Sequence, residues 1–237
     1  LVGGIGIDET DVVVKRASAM VASGYRTIKL KVGRPEINKD LAMVRAVRKA
    51  LGDDIAIRVD ANAGYSPVDA MVVARALGDL NIEHFEQPVA GEDFSAMARL
   101  LKLGAVSIMA DESVHTAQDA VRIVREKAAD GLKIKISKVG GYIEARRIID
   151  VAEAAGIKVI IGNGICSSIE AASELQLACA YPHVYPVAEM VGPAKLAGDL
   201  ARTPFNLSAG TITLPSGIGL GVELSDEKLR EYTIAES

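Results

Sequence analysis

Three acids recur at the ends of apolar runs. Ile57-Arg58-Val59-Asp60-Ala61-Asn62 stops at Asp60, Ile82-Glu83-His84-Phe85-Glu86-Gln87-Pro88 at Glu86, and Val106-Ser107-Ile108-Met109-Ala110-Asp111-Glu112 at Asp111. Steps of 26 and then 25 residues separate them, each about one strand plus one helix. Three successive parallel strands would thus bring one carboxylate apiece to the same end of a sheet. In a (β/α) barrel, that end is where active sites are built. Asp60, Glu86 and Asp111 are hard oxygen donors, and three converging suit Mg²⁺, with Mn²⁺ as a substitute. Without a cation they would repel one another and push at least one pKa upward. Any one of them could instead cap the helix that follows, but three in consecutive units favour a metal. Asn62 and Glu112 stand beside the acids as candidates to support them.

Two lysine pairs flank the acids, Lys29 and Lys31 on the strand before and Lys133 and Lys135 on the strand after. Within each pair the spacing of two puts both side chains on one face of a strand. An inward lysine is unusual, because burying an unpaired ammonium is costly. A divalent cation and a second lysine nearby would each lower a lysine pKa. Moving one from about 10.4 to about 7–8 takes roughly 4 kcal/mol and gives a base that works at neutral pH. Lys29 and Lys133, the deeper members, could instead serve as structural ion pairs with Asp60 or Asp111. Lys138 lies on the opposite parity and is expected to neutralise a helix or loop oxygen. Bases on opposite sides of one substrate permit proton removal on one face and delivery on the other, as racemisation requires. An elimination can begin with either base alone.

The elements that would position these residues follow a regular rhythm. Strands are predicted over Val2–Ile7, Tyr25–Val32, Asp53–Asp60, Ile82–Glu86, Val106–Ala110, Gly131–Ile136, Ile157–Ile161 and His183–Val187. Helices are predicted between them. The first is capped by Asp8 or Thr10 and ends near Ala22; Pro35 and Ser66-Pro67 open the next two. Asp93–Leu103, Thr116–Ala129, a helix opened by Gly140-Gly141, and Ser167–Ala180 complete the set. Beyond Glu189, proline and glycine replace the expected last helix, with a short strand at Thr211–Leu214 and a terminal helix at Asp226–Tyr232. Seven helices between eight strands read as a TIM-type parallel α/β barrel of modified (β/α)7β form with an irregular C-terminal segment. Residues 1–237 would form this single catalytic domain. An open doubly wound sheet is the alternative, but no GxGxxG motif follows the first strand.

Composition narrows the function. Apolar residues make up 49% of the chain with aromatics at only 4%, which fits strands of Val, Ile, Leu and Ala buried on both faces. A net charge of −4 speaks against nucleic acid, which favours a basic stripe. No apolar run reaches membrane-spanning length, so no membrane partner is expected. Cys166 and Cys179 form no CxxC pair and are expected to stay reduced, consistent with a cytoplasmic setting. His84, His115 and His183 are expected to pack or line loops rather than to ligate. Cys166 is expected as a buried thiol at a helix start.

Five segments in order resemble the enolase superfamily, and within it the muconate lactonizing enzyme branch, also called muconate cycloisomerase-like. They are Thr27-Ile28-Lys29-Leu30-Lys31, Val59-Asp60-Ala61-Asn62, Phe85-Glu86-Gln87-Pro88, Ala110-Asp111-Glu112-Ser113 and Lys135-Ile136-Ser137-Lys138-Val139-Gly140-Gly141. The resemblance implies Mg²⁺ held by Asp60, Glu86 and Asp111. It also implies abstraction of the proton next to a substrate carboxylate by Lys31 or Lys135, through a metal-stabilised enolate. Lys29 would support that carboxylate. The mandelate racemase branch uses a His at the end of strand seven; Ile161-Gly162-Asn163-Gly164 has none, which favours the two-lysine branch. Ala188-Glu189-Met190-Val191-Gly192-Pro193 resembles the cycloisomerase strand-eight region, making Glu189 a candidate facing the site. Lys133 departs from the small polar residue expected there. The family's N-terminal capping domain has no counterpart in these residues and is expected outside them. The activity implied is that of a cycloisomerase, racemase or epimerase on a small carboxylate, in a homo-oligomer. A sugar-acid or hydroxy-acid dehydratase shares the same site, and a non-catalytic metal-binding barrel fragment is the reading from another class.

Overall fold

The computed structural model describes residues 1–207 and 209–234. Strands and helices alternate: β1 (Val2–Ile5), α1 (Thr10–Ala22), β2 (Thr27–Lys31), α2 (Ile37–Leu51), β3 (Ala56–Asp60), α3 (Pro67–Gly78), β4 (Ile82–Glu86) and α4 (Phe94–Leu103). They continue with β5 (Ile108–Ala110), α5 (Ala117–Glu126), β6 (Gly131–Ile134), α6 (Ile136–Val139), α7 (Tyr142–Ala155), β7 (Lys158–Ile161), α8 (Ser168–Ala180) and α9 (Asp226–Tyr232). All neighbouring strands are parallel, in the order β1 to β7.

Residues 184–189 close the sheet. Val184 bridges to Val159 and Glu189 to Gly162, both parallel. On the other edge the Val2 amide donates to the Ala188 carbonyl at 3.2 Å. The predicted eighth strand is therefore present as a position, though not as a regular strand over His183–Val187. Pro182 and Pro186 explain this, since each lacks the amide a continuous ladder needs. The predicted strand at Thr211–Leu214 is irregular chain, whereas the terminal helix forms as expected.

Local chemistry sets the ends of several elements. Ser66 caps α3 by accepting from the Asp69 amide, with Pro67 in the first turn. Thr116 and Asp119 form a reciprocal capping box at α5. The cap position of α1 is Glu9 rather than Asp8 or Thr10, and its side chain makes no capping bond. Strand β6 ends at Ile134, two residues earlier than predicted, so Lys135 leads into the short α6 instead of continuing the strand.

The alternation along each strand separates two environments. Ile28, Leu30, Ile57, Val59, Phe85, Leu132 and Ile134 belong to the apolar layer between sheet and helices, all with no exposed surface. The opposite parity carries Lys29, Lys31, Arg58, Asp60, His84, Glu86 and Lys133 into the barrel. An interior this charged departs from the branched aliphatic layers that fill most such barrels. It folds only if the charges pair with one another.

Candidate active site

Register puts the site residues level with one another. Lys31 pairs with Asp60 and Asp60 with Glu86 across β2, β3 and β4. Asp111 follows β5 directly. Around an eight-stave barrel, β2 and β6 are opposite each other, so Lys31 and Lys135 face across the mouth with the three acid-bearing strands between them. A cavity of about 380 Å³ opens there, lined in part by Lys29, Lys31, Asp60, Asn62, Lys135 and Glu189. Glu86, Asp111 and Glu112 stand just outside that lining and reach it through their lysine and asparagine partners.

Each acid is held by lysine. Lys31 Nζ lies 2.6 Å from Asp60 Oδ2. Lys29 Nζ touches Asp60, Glu86 and Glu189 at 2.8, 2.7 and 2.8 Å. Lys135 and Lys138 reach the two oxygens of Asp111 at 2.5 and 2.7 Å. Lys138 also takes the carbonyls of Asp111 and Lys133, the loop-oxygen role expected of it, with the Asp111 carboxylate in addition. The sequence did not show that the lysines would share acids in this way.

The titration of these groups follows from their neighbours. Burial would raise Asp60, but Lys29 and Lys31 overcome it and hold the carboxyl at about 2. Asp111 is held below the usual carboxylate range by Lys138 and Lys135 against the same burial. Glu86 moves the other way, up to about 7, through complete burial and the charges of Asp60 and Glu189. For Lys135 the expected lowering is reversed: burial pushes the ammonium down, but Asp111 beside it holds it above the ordinary lysine value. Burial likewise opposes the charge on Lys29, and Glu189, Glu86 and Asp60 together hold it well above that value.

Glu189 is no solvated loop acid. It is buried and meets Lys133 at 2.5 Å, Lys29 at 2.8 Å and Arg58 at 3.5 Å. Those cations keep it well below the ordinary glutamate value even though burial favours its protonated form. Lys133 is the deep structural member of its pair, as expected, but its partner is Glu189 rather than Asp111. A Cβ at Gly162 would sit 2.5 Å from Lys133 Cε, so the bare backbone at the end of β7 is what makes room for this lysine.

Asn62 and Glu112 support the site as a pair. Asn62 Oδ1 accepts from Lys31 Nζ, and Asn62 Nδ2 donates to Glu112 at 3.0 Å. Asn62 and Ala63 hold positive φ of 43° and 61°, a conformation that non-glycine residues keep only where the surroundings enforce it. The sequence reading missed Gln87. Its side-chain oxygen accepts from the Asp111 and Ser113 amides at 2.9 and 3.1 Å, and its nitrogen donates to Val89 O and Ser113 Oγ. It thereby ties the loop carrying Asp111 to the end of β4.

Two sets of residues could hold a cation. His84, Glu86 and Glu189 offer atoms within 4.8 Å of one another deep in the barrel. There, however, Lys133, Lys29 and Arg58 already neutralise Glu189, and a divalent ion would face three positive charges. Asp60, Glu86 and Asp111 are hard oxygen ligands of the kind Mg²⁺ takes, but lysines hold each of them as well, and the buried Glu86 Oε2, without a hydrogen-bond partner among the described residues, belongs to both sets. His84 is buried on β4 and neutral, because burial and Arg58 hold it well below its ordinary value. Cys166 is a buried thiol pushed up to about 12 by burial and nearby acids. Among the described residues no helix is long and apolar enough to cross a membrane.

The chain is similar to known proteins over nearly its whole length. The chain is 32% identical to N-succinyl-L-Arg/Lys racemase of Bacillus cereus over 97% of its own length and 62% of the relative's. It is 33% identical to muconate cycloisomerase 1 of Rhodococcus opacus, again over 97% of this chain and 62% of that one. The crystal structure of a dipeptide epimerase from Cytophaga hutchinsonii, complexed with Mg and the dipeptide D-Ala-L-Val, superposes with a TM-score of 0.90. That match is 29% identical and covers 97% of this chain and 62% of that one. The chain thus spans about three fifths of the length of these relatives, which are isomerases, racemases and epimerases. The model of the enolase C-terminal domain-like family matches residues 12–228, and the chain belongs to that family.

Proposed function

We propose that the protein is a Mg²⁺-dependent isomerase, a racemase, epimerase or cycloisomerase, that moves the proton α to the carboxylate of a small substrate. The observation that carries this reading is the position of Lys31 and Lys135 on opposite sides of one cavity, with the acid-bearing strands β3, β4 and β5 between them. Opposed bases suit a reaction in which a proton leaves one face and returns to the other.

Asp60, Glu86 and Asp111 would hold the cation, and Asn62 and Glu112 would steady Lys31 and the loop beside it. Bound there, a divalent cation would supply Lewis-acid stabilisation of the negative charge that builds on the substrate carboxylate. Lys29, locked between Asp60, Glu86 and Glu189, keeps its charge and adds a fixed positive potential at the same spot. Glu189 anchors Lys29 and Lys133 from the eighth stave. Lys31 and Lys135 stand nearer solvent, with 34% and 24% of their side chains exposed against 8% for Lys29. They are therefore the pair placed to exchange protons with a ligand, Lys135 standing as the proton donor because Asp111 beside it favours its charged form.

The test is proton NMR in D₂O with the full-length protein, with and without Mg²⁺. The compounds are N-succinyl-arginine, N-succinyl-lysine, hydrophobic dipeptides, cis,cis-muconate and sugar acids. Mg²⁺-dependent loss of an α-proton signal with product of inverted configuration, or a lactone from muconate carrying solvent deuterium on the carbon α to its carboxylate, supports the isomerase. Loss of water from a hydroxy acid would replace it with a dehydratase.

A further inference from the structure

The two lysines are held by different means. Lys31 is the last residue of β2, and the next amide, Val32, donates to the Asp60 carbonyl at 2.9 Å. Its backbone is thus part of the sheet. Lys135 lies beyond the end of β6, and its position depends on α6. The Lys135 carbonyl accepts from the Lys138 and Val139 amides at 3.0 and 3.1 Å.

Helix α6 is itself fastened from behind by α8. The Ile136 amide donates to Glu174 Oε1 at 3.2 Å, and Ser137 Oγ to Glu170 Oε1 at 2.8 Å. Glu174 has no exposed surface, and its second oxygen makes no hydrogen bond of good geometry, with the Asn163 side chain beside it. No reading of the active site uses this carboxyl. It lies behind the Lys135 side of the cavity, one peptide unit from that lysine; behind Lys31 a different buried carboxylate, Asp40 of α2, takes the Gly33 and Arg34 amides at 2.9 Å.

We infer that Glu174 is a positioning residue for Lys135: by holding the Ile136 amide it fixes the start of α6 and so aims the Lys135 ammonium into the cavity. The inference rests on the reading of Lys31 and Lys135 as opposed bases. Burial, reinforced by Glu170, keeps a proton on Glu174 up to about pH 8. The group therefore works as a neutral acid whose carbonyl oxygen takes the amide, and glutamine reproduces that oxygen.

The experiment follows α-proton exchange into D₂O from each enantiomer of N-succinyl-arginine, N-succinyl-lysine and an alanyl dipeptide, using the Mg²⁺-loaded full-length protein. Glu174→Leu, Glu174→Asp and Glu174→Gln are compared with Lys135→Ala. A misaimed base costs on the order of tenfold to a hundredfold in rate. Glu174→Leu should show such a loss for the enantiomer that Lys135→Ala also blocks, and leave the other enantiomer within about twofold. Glu174→Gln should restore both. If Glu174→Leu does not fold, Glu174→Asp, which keeps the acid but shortens its reach, should show the same one-sided loss in smaller measure. Equal losses for both enantiomers, or no loss, would overturn the assignment of Glu174 while leaving the two-base reading intact. Failure of the unmodified protein to exchange any α-proton would overturn both.

Discussion

Lys133 Nζ lies 2.5 Å from Glu189 Oε2, an ion pair between the sixth and eighth staves in which the lysine has no exposed surface. The pair is part of a larger balance, because Lys29 and Arg58 also contact Glu189. Removing the acid leaves three buried cations short of their common partner, whereas removing one cation leaves the acid with two. Glu189→Ala should therefore cost about 3–5 kcal/mol, and Lys133→Met, similar in volume, about 1–2 kcal/mol or less. Urea denaturation midpoints with unchanged slopes would check that order, and equal costs would contradict it.

Lys31→Ala and Lys135→Ala should each lower turnover by about 10²–10⁴-fold, the usual worth of a positioned base. The fold should survive, since Asp60 keeps Lys29 and Asp111 keeps Lys138. Circular dichroism and steady-state rates test this together. Rates within a few fold of the unmodified protein for both variants would sink the two-base mechanism.

Asp60→Asn should weaken Mg²⁺ binding by at least about tenfold, because it removes one hard anionic donor. Isothermal calorimetry reads this directly, and an unchanged affinity would take Asp60 out of the metal site.

Gly162→Ala should push Lys133 out of its slot, since the added methyl meets Lys133 Cε at 2.5 Å and Nζ at 2.7 Å. Overpacking of this kind costs about 1–3 kcal/mol. Combining it with Lys133→Met, which removes the ammonium, should recover part of the loss; a fully additive double variant would show that the two positions do not interact.

Glu174 predicts a pH dependence of stability. Its folded pKa is raised to about 8 from the ordinary 4.5, first by burial and then by Glu170, with Lys133 opposing. Between those values the folded protein holds a proton that the unfolded chain has lost. Stability therefore falls with rising pH across that window, by at most about 1.4 kcal/mol per pH unit from this group. Glu174→Gln should flatten the slope between pH 5 and 8 relative to the unmodified protein. Parallel curves for the two proteins would place the pH dependence elsewhere.

Much of this molecule is legible one residue at a time. The two-residue alternation of Lys29 and Lys31 against Ile28 and Leu30 assigns the faces of β2 because a strand has no other periodicity. The even steps between Asp60, Glu86 and Asp111 mark three strand ends because each parallel crossover consumes a strand and a helix. Pro186 could have warned that the eighth stave would not be a regular ladder. These signals are local and survive in the sequence.

Tertiary structure decided which charge meets which. Lys29 and Glu189 are 160 residues apart and bond only because the eighth stave closes against β1. Lys135 carries a raised rather than a lowered pKa because the loop after β5 brings Asp111 against it. Gln87, Gly162 and Glu174 act through a backbone amide or a vacant Cβ position, which no residue type announces. The strength of an ion pair depends on distance and burial, and in a barrel both are fixed only when the sheet closes and the charged interior loses its water.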